Sequence, residues 1–358
     1  FRACKRAGET LVKLVEKWGF IYIFTHDDPD GLTAGAIIGK AIQRLGGGFN
    51  LKAINRVDER LISELKEAGS CEPCLFSEIG SGYLDMLQPL TDRREILVFD
   101  HHKPLDHGGE GLTHVNPHLY GIDGGSEISG STLCYFIAKS ISRENVDLSP
   151  LAIVGALGDL QDKDFDRRLA SLNRVAVEEA EKAGLVETAI DLMFYGRETR
   201  PVHKAIASTM NPFIPGLSGR EDKCYGFLVN LGIRLREGDR WRTPAELTRE
   251  EKQKIFSEIT AYLASLGFKS ASILKLVGEV YTLKKEDKLT PLRDGREYAS
   301  LLNACSKMRK PGLALSICFG ERGEALEEAQ KIFNEYRKAI SEAVNKLVEE
   351  PGRIKSLK

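Results

Sequence analysis

Histidine and aspartate side chains follow directly after a short apolar segment in the first third of the chain. Residues 96–99, Ile-Leu-Val-Phe, have the length and composition of a buried strand, and they lead into Asp100, His101 and His102. A carboxylate and two imidazoles can bind a divalent cation or move a proton. Ligands of open α/β sheets bind where strands end and loops begin, so these three residues form a candidate site.

Acidic residues follow three other apolar segments in the same way. These residues and the histidine beside them are His26, Asp28, Asp30, Glu78 and Asp159. Any one of them alone is more often a turn former or a helix cap. Carboxylates combined with imidazoles suit manganese or iron better than calcium, and two such ions about 3.5–4 Å apart can activate water against a phosphoryl group. The set therefore predicts metal-assisted hydrolysis of a phosphodiester.

The segments that must position these residues alternate between strand-like and helix-like patterns. The predicted strands are residues 20–24, 49–54, 74–76 and 96–99. The predicted helices are residues 9–18, 32–45, 61–68, 83–89, 132–138, 169–183 and 186–194. This alternation predicts an α/β fold with a parallel sheet flanked by helices, in which the strand ends meet at one edge. The glycine- and serine-rich residues 121–131 could bind a phosphate at a helix start, or could simply cap that helix.

The character of the chain changes after residues 196–201, Gly-Arg-Glu-Thr-Arg-Pro, and residues 212–220 are rich in proline and glycine. Later segments are predicted as helices at 248–265, 270–277, 294–308 and 322–349 and as strands at 278–283 and 313–318. We therefore expect a first domain at 1–200, an inserted α/β domain at 201–305, and a C-terminal segment at 306–358 that contains a strand and a long connecting helix.

Length, charge and cysteine usage set further limits on function. The 358 residues are enough for two or three domains, and the net charge of −1 argues against a uniformly basic surface while leaving a local basic channel open. No apolar run approaches the ~18 residues that span a bilayer, which predicts no membrane partner. Seven scattered cysteines without a secretory signal predict reduced thiols in the cytoplasm.

Three motifs resemble the signature motifs of the DHH phosphoesterase superfamily. They are THDDPDG at 25–31, DHH at 100–102 and GDLQD at 158–162, and FSEIGSG at 76–82 lies where that superfamily has its second motif. Residues 129–138, SGSTLCYFIA, and residues 196–201 are similar to the archaeal RecJ-like nucleases, including the GINS-associated ones. The likeness covers most of the chain.

The resemblance implies a centre for two Mn²⁺ or Mg²⁺ ions. The residues that it assigns to one ion are His26, Asp28 and Glu78. The residues that it assigns to the other ion are Asp30, Glu78, His101 and Asp159, so that Glu78 bridges the pair. Asp100 would orient His101, and His102 would contact the scissile phosphate and stabilise its developing charge.

Two departures from the family pattern bear on this expectation. Glu78 is one methylene longer than the aspartate of the family, so the metal bridge must shift or the backbone must retreat. The chain also lacks the GGGH motif of the family's C-terminal DHH-associated domain, which we expect to be absent. Two alternatives stay open: that domain was removed, or this member holds its substrate by other means.

The resemblance leaves two main functions open. The first is a metal-dependent exonuclease on single-stranded DNA or RNA in DNA replication or repair, which the retained metal-binding residues favour. The second is a replication scaffold of the helicase complex with weak or no nuclease activity, because residues 200–305 resemble an inserted domain that contacts partner proteins, with a GINS-type protein as a candidate partner. A small-molecule phosphoesterase acting on short oligonucleotides or cyclic dinucleotides is a third alternative.

Overall fold

A computed structural model of the chain describes residues 1–105, 109–163 and 166–349. Its central element is a parallel sheet of five strands in the order β2-β1-β3-β4-β5. The strands are β1 (Phe20–His26), β2 (Gly48–Ile54), β3 (Cys74–Ser77), β4 (Ile96–Phe99) and β5 (Leu112–Val115). The predicted parallel sheet flanked by helices is thus confirmed, with β5 as an additional edge strand.

The register of the sheet places the ends of its central strands side by side. Ser77, the last residue of β3, pairs with Thr25 of β1 on one side and with Phe99 of β4 on the other. The next residue of each strand path is therefore His26, Glu78 or Asp100, and all three emerge at the same edge of the sheet.

Helices cover both faces of this sheet. They are α1 (Arg2–Trp18), α2 (Pro29–Arg44), α3 (Glu59–Glu67), α4 (Leu84–Leu87), α5 (Gly130–Ile141) and α6 (Ser149–Gly158). Because side chains alternate along a strand, Ile23 and Leu97 pack with α1, α2 and α5, whereas Phe24 and Val98 pack with α3 and α4. Short 3₁₀ helices lie at Gln88–Leu90, Pro117–Tyr120 and Arg143–Leu148.

The segment after α7 (Ser171–Lys182) differs from its prediction. Residues 186–194 were expected to be helical, and this expectation is wrong because Val186–Leu192 forms a strand, β6. β6 pairs antiparallel along its whole length with β9 (Val277–Leu283). The partner strand lies about 90 residues later in the chain. The spacing of apolar residues in 186–194 fits a helix or a strand, and the backbone hydrogen bonds to β9 select the strand.

The residues between β6 and β9 have a hydrophobic core of their own. Their elements are α8 (Val202–Ser208), α9 (Glu221–Asn230), β7 (Arg236–Glu237), β8 (Arg240–Trp241), α10 (Arg249–Ser265) and α11 (Ser270–Ile273), with 3₁₀ helices at Pro244–Glu246 and Leu274–Leu276. This core is built from residues between Leu192 and Leu276, including Ile206, Leu228 and Ile259. The inserted unit is therefore mostly helical and ends earlier than the predicted boundary at residue 305.

The chain after β9 returns to the core of the first domain. Its helices are α12 (Gly295–Lys307), α13 (Pro311–Phe319) and α14 (Glu324–Glu349). Tyr281, Tyr298 and Leu302 are buried in the same cluster as α2 and α6. The strand predicted at 313–318 is wrong: this apolar run is α13, with Pro311 in its first turn, where proline favours a helix.

The C-terminal helix α14 is the longest helix described. Its 26 residues carry charges throughout, and the rest of the predicted C-terminal segment, residues 350–358, lies outside the described residues. None of the described helices is long and apolar enough to cross a membrane.

A buried carboxyl group fastens the segment at 196–201 to α12. Glu297 Oε1 accepts a hydrogen bond from the Glu198 N–H at 2.5 Å, and Glu297 Oε2 accepts one from Thr199 Oγ1 at 2.5 Å. Burial and then the charge of Asp294 raise the pKa of Glu297 to about 8. The folded chain therefore keeps this group protonated over a pH range in which the unfolded chain ionises it.

Glu297 predicts a fall in stability with rising pH. A pKa that is raised on folding contributes stability at low pH that is lost as the pH rises toward the folded value. Between about pH 6 and pH 8 the free energy of unfolding should fall by roughly 2 kcal/mol on account of this group. In urea unfolding of Glu297→Gln, the free energy of unfolding should not show this fall between about pH 6 and pH 8. The exposed control Glu178→Gln should show the same fall as the wild-type chain. Identical pH profiles for both variants would contradict the assignment.

Candidate metal centre

Side chains with metal-binding atoms converge at the edge where β1, β3 and β4 end. The nitrogen and carboxylate oxygens fall into compact groups whose members lie within 4.8 Å of one another. One group is His26, Asp28 and Glu78, and a second is Asp30, His101 and Asp159. A third combines Glu78, His101 and His102. The structure therefore brings together every residue that the sequence predicted as a metal ligand.

The first group is built on the turn between β1 and α2. His26 Nδ1 lies 3.0 Å from Asp28 Oδ2 and 3.0 Å from Glu78 Oε2. Asp28 is also the N-cap of α2, since its Oδ1 accepts a hydrogen bond from the Gly31 N–H at 2.8 Å. This cap uses one oxygen of Asp28 and leaves the other facing His26.

The second group is built on three helix ends. Asp30 is fully buried, and its carboxylate accepts hydrogen bonds from the N–H groups of Gly130 and Ser131, at 2.7 Å and 3.0 Å, at the start of α5. His101 Nε2 lies 3.5 Å from Asp30 Oδ2, and Asp159 follows the end of α6. Backbone N–H groups at a helix start stabilise a negative charge, which explains how Asp30 tolerates burial.

Glu78 lies between the two groups. Its Oε2 is 3.0 Å from His26 Nδ1, and its Oε1 is 3.2 Å from His101 Nε2. Neither Glu78 Oε2 nor His26 Nδ1 has a hydrogen bond of normal geometry among the described residues, although both atoms are buried. A buried carboxylate oxygen and a buried imidazole nitrogen that lack hydrogen-bond partners are suitable ligands for a divalent cation.

The longer side chain of Glu78 is accommodated by two backbone features. Glu78 has a left-handed backbone with φ of 58°, a conformation that is uncommon for residues other than glycine and that occurs at functional sites. Gly130 supplies the space, because a Cβ atom at this position would overlap Glu78 Cγ and would lie 2.8 Å from Glu78 Cβ. The absent side chain of Gly130 therefore leaves the space that the first two side-chain carbons of Glu78 occupy.

The two imidazoles of the DHH motif are oriented by different groups. His101 Nδ1 donates to the carbonyl oxygen of Gly124 at 2.7 Å, so Nε2 faces Glu78 and Asp30, where it could bind a metal. Gln161 Nε2 donates to the same Gly124 oxygen and to Asp159 Oδ2, both at 2.8 Å. Asp100, which the resemblance assigned to His101, instead accepts a hydrogen bond from His102 Nδ1 at 2.9 Å. The expected partner of Asp100 is therefore corrected to His102.

Asp100 is itself fixed by the backbone. Its Oδ2 accepts a hydrogen bond from the Ser81 N–H at 2.8 Å, and its Oδ1 accepts one from the His102 N–H at 3.1 Å. Although burial opposes ionisation, contact with His102 lowers the pKa of Asp100 to about 2. The same contact raises the pKa of His102, whose side chain is half exposed. The hydrogen bond to Asp100 therefore favours the protonated form of the His102 imidazole.

The electrostatics of the centre favour an added cation. Burial, followed by the charge of Asp28, raises the pKa of Glu78 to about 7. Burial and the charge of Asp30 raise the pKa of Asp159 to about 6. Burial alone would lower the pKa of His26, but the carboxylates of Asp28 and Glu78 outweigh it and raise the pKa to about 11. Bound protons thus reduce the repulsion between closely spaced carboxylates. A divalent cation would take over this role and displace the protons.

Two acids of the motifs lie outside this centre. Asp27 lies 3.9 Å from His26 Nε2 but belongs to none of the compact groups. Asp162, in the GDLQD motif, forms an ion pair with Arg296 of α12 at 2.5 Å. Neither residue had a role predicted from the motifs, and Asp162 fastens the Asp159 loop to α12. Gly124 and Ser81 were missed because they act through main-chain groups, which leave no signal in residue type. Gln161 acts through its side-chain amide and lies within the GDLQD motif, which was the available signal.

Comparison with known proteins gives one domain match and one related sequence. Residues 194–277 match the model of the DHH-CID domain. An uncharacterized protein of Methanocaldococcus jannaschii is 29% identical over 333 residues, which make up 92% of this chain and 70% of that protein. The domain match covers the inserted unit between β6 and β9.

Solved structures share the fold at low sequence identity. A crystal structure of exonuclease RecJ bound to manganese has a TM-score of 0.56 and 17% identity, covering 97% of this chain and 70% of the other. CDC45 from Entamoeba histolytica has a TM-score of 0.71 and 11% identity, covering 97% and 74%. RecJ from Thermus thermophilus in complex with Mn²⁺ has a TM-score of 0.50 and 16% identity, covering 94% and 37%.

The parallel sheet and the inserted unit form a fold that this chain shares with the RecJ and CDC45 structures. The DHH-CID match and the shared fold confirm the predicted resemblance to the RecJ-like proteins of the DHH superfamily.

Gly130 provides a direct test of the accommodation of Glu78. The variant Gly130→Ala should lower manganese affinity about tenfold or more, because its Cβ would displace Glu78 from both groups. Isothermal titration with Mn²⁺ measures the effect. Gly125→Ala in the same loop meets only an ordinary contact with Asp123 at 3.4 Å and should bind manganese normally. Equal affinities for the two variants would show that Glu78 does not need this space.

Proposed function

We propose that this chain is a metal-dependent exonuclease that hydrolyses phosphodiester bonds of single-stranded DNA or RNA in DNA replication or repair. The observation that carries the proposal is the pair of donor groups joined by Glu78, whose two oxygens lie 3.0 Å and 3.2 Å from His26 and His101. The likeness in fold to exonuclease RecJ bound to manganese supports the same reaction class.

In this proposal the chain holds two Mn²⁺ or Mg²⁺ ions. His26 and Asp28 would hold one ion, Asp30, His101 and Asp159 would hold the other, and Glu78 would contribute one oxygen to each. Two bound ions supply Lewis acidity that activates water and stabilises charge on a phosphoryl group. The carboxylates and imidazoles fix the spacing of this pair, because each is anchored to a strand end or a helix end.

His102 has a distinct task in the proposed mechanism. Its ring is held through Nδ1 by Asp100, and its Nε2 lies 3.4 Å from Glu78 Oε1 beside the metal-binding atoms. Asp100 favours the protonated ring, and in that form Nε2 could donate a hydrogen bond to an oxygen of the scissile phosphate. This bond would strengthen as negative charge develops in the transition state, which makes His102 a candidate catalytic residue.

A second function has one specific observation in its favour. CDC45 from Entamoeba histolytica has the higher TM-score, 0.71 against 0.56 for RecJ bound to manganese. A replication scaffold of the helicase complex, bound to a GINS-type protein through the inserted unit, would use this fold without hydrolysis. The intact donor groups favour the nuclease, and the two roles are physically compatible in one chain.

Removal of a single ligand of the second group should abolish hydrolysis. We expect His101→Ala and Asp159→Ala to reduce manganese-dependent cleavage of a labelled single strand at least ~10²-fold, with melting temperatures that show a folded chain. Asp85→Ala changes an exposed carboxylate of α4 and serves as the matched control. Wild-type rates in either ligand variant would show that the second group does not serve catalysis.

A series of substrate lengths separates the nuclease from a small-molecule phosphoesterase. The exonuclease should release nucleotides successively from strands of any length under the same metal conditions. Activity restricted to dinucleotides or cyclic dinucleotides would overturn the long-strand proposal. An absence of cleavage at every length, together with retained binding of a GINS-type protein, would favour the scaffold.

The bridging role of Glu78 can be measured by metal stoichiometry. The wild-type chain should bind two Mn²⁺ ions, whereas Glu78→Asp should bind fewer than two. The shorter side chain withdraws the carboxylate by about one bond length, roughly 1.5 Å, from a position to which Gly130 and the left-handed backbone are fitted. Two bound ions and faster cleavage in Glu78→Asp would mean that the glutamate hinders the site instead.

A further inference from the structure

A basic cavity of about 550 Å³ lies between α8, the loop before α12, and α14. The polar side chains that line it include Thr199, Arg200, Lys204, Glu221, Asn334 and Arg337. None of the lining residues belongs to the metal-binding groups. Arg200 lies in the 196–201 segment, which the sequence marks as distinctive but which the metal centre leaves unexplained.

Two arginine side chains of this cavity share one aromatic ring. The guanidinium carbon of Arg200 lies 5.3 Å from the ring centroid of Tyr195, and that of Arg337 lies 5.3 Å from the same centroid. Arg337 also lies 5.0 Å from the ring centroid of Phe333. Its Nη2 is buried and has no hydrogen-bond partner among the described residues. A buried guanidinium nitrogen without an acceptor is unfavourable unless a ligand supplies one.

The carboxylates near these arginines leave the cavity positive. Glu221 lies 3.6 Å from Lys204, and both side chains are about half exposed or more. Glu198 accepts a hydrogen bond from the Leu289 N–H and pairs with Arg197 at 3.0 Å. The oxygens of Glu297 accept hydrogen bonds from the Glu198 N–H and Thr199. Burial lowers the pKa of Arg200, whereas Tyr195, Glu297 and Glu221 raise it less. The cavity therefore favours an anionic ligand.

The local backbone holds Arg200 in this position. Gly196 has a φ of 84°, and a Cβ atom at this residue would lie 2.6 Å from Arg200 Cδ. Arg200 also donates a hydrogen bond to Ser208 Oγ at the end of α8. The side chain of Arg200 can therefore lie across Gly196 toward Tyr195 only because residue 196 is a glycine.

We propose that this cavity binds a phosphate group of a single nucleic-acid strand, separately from the metal centre. Guanidinium groups present planar pairs of N–H donors that match phosphate oxygens, and two of them beside a lysine suit a phosphodiester. The identity of the ligand rests on the proposed nuclease function, because a single-stranded substrate carries phosphates beyond the one that is cleaved. Binding at the cavity itself requires no metal.

The test measures strand binding under conditions that prevent cleavage. Fluorescence anisotropy of a labelled oligothymidylate is followed in EDTA at several salt concentrations, with the variants Arg200→Gln and Arg337→Gln. Each variant should weaken binding several-fold and should reduce the slope of log affinity against log salt by about one. The control Arg236→Gln removes an arginine that is stacked on Trp241 at 4.3 Å, outside the cavity, and should bind normally.

Other outcomes would overturn the proposal. The proposal fails if both cavity variants keep the wild-type affinity, the wild-type slope of log affinity against log salt, and wild-type melting temperatures. This holds even if the chain cleaves strands with manganese. Displacement of the strand by inorganic phosphate at an equal concentration of phosphate groups would identify a site for the free ion instead. Loss of binding to an oligoglutamate peptide, without loss of strand binding, would identify a site for an acidic protein segment. Loss of cleavage with retained strand binding would reject only the nuclease function.

Discussion

The burial of ionisable side chains at one edge of the sheet is the constraint on which the rest of this structure depends. Asp30, Glu78, Asp100 and His101 are each no more than 3% exposed. Burying a charge costs several kcal/mol unless hydrogen bonds or an opposite charge compensate it. The start of α5 supplies two N–H groups to Asp30, and the Ser81 backbone supplies one to Asp100. Glu78 receives no comparable set, so its charge is the one that a metal cation best compensates.

The helix α12 connects this edge to the inserted unit and to the basic cavity. Arg296, in its first turn, pairs with Asp162 and so fastens the loop that carries Asp159. The next residue, Glu297, fastens the segment that carries Arg200. Two neighbouring residues of one helix therefore contact the loop of the metal centre and the segment that lines the cavity.

Much of the centre could be predicted because its ligands follow short, strongly apolar strands whose parallel arrangement forces their ends together. The roles of Gly124 and Gly130 could not be predicted, because both act through a carbonyl oxygen or an absent side chain. β6 was mistaken for a helix because its partner, β9, comes about 90 residues later in the chain. The helix α13 was mistaken for a strand because a fully apolar run has no periodicity to distinguish the two. For β6 a distant partner strand decides the conformation, whereas for α13 the proline at its start favours the helix.

The relation between Glu78 and Gly130 decides how a carboxylate at residue 78 can be buried at this edge of the sheet. A side chain at residue 130 would crowd Glu78 Cβ and Cγ and push the carboxylate toward solvent. Glu78 is instead almost fully buried, adopts a left-handed backbone, and fits against a residue that has no Cβ. Strained backbone of this kind persists only where the surrounding structure holds it in place. The burial of the Glu78 carboxylate between the two groups therefore depends on a glycine at residue 130.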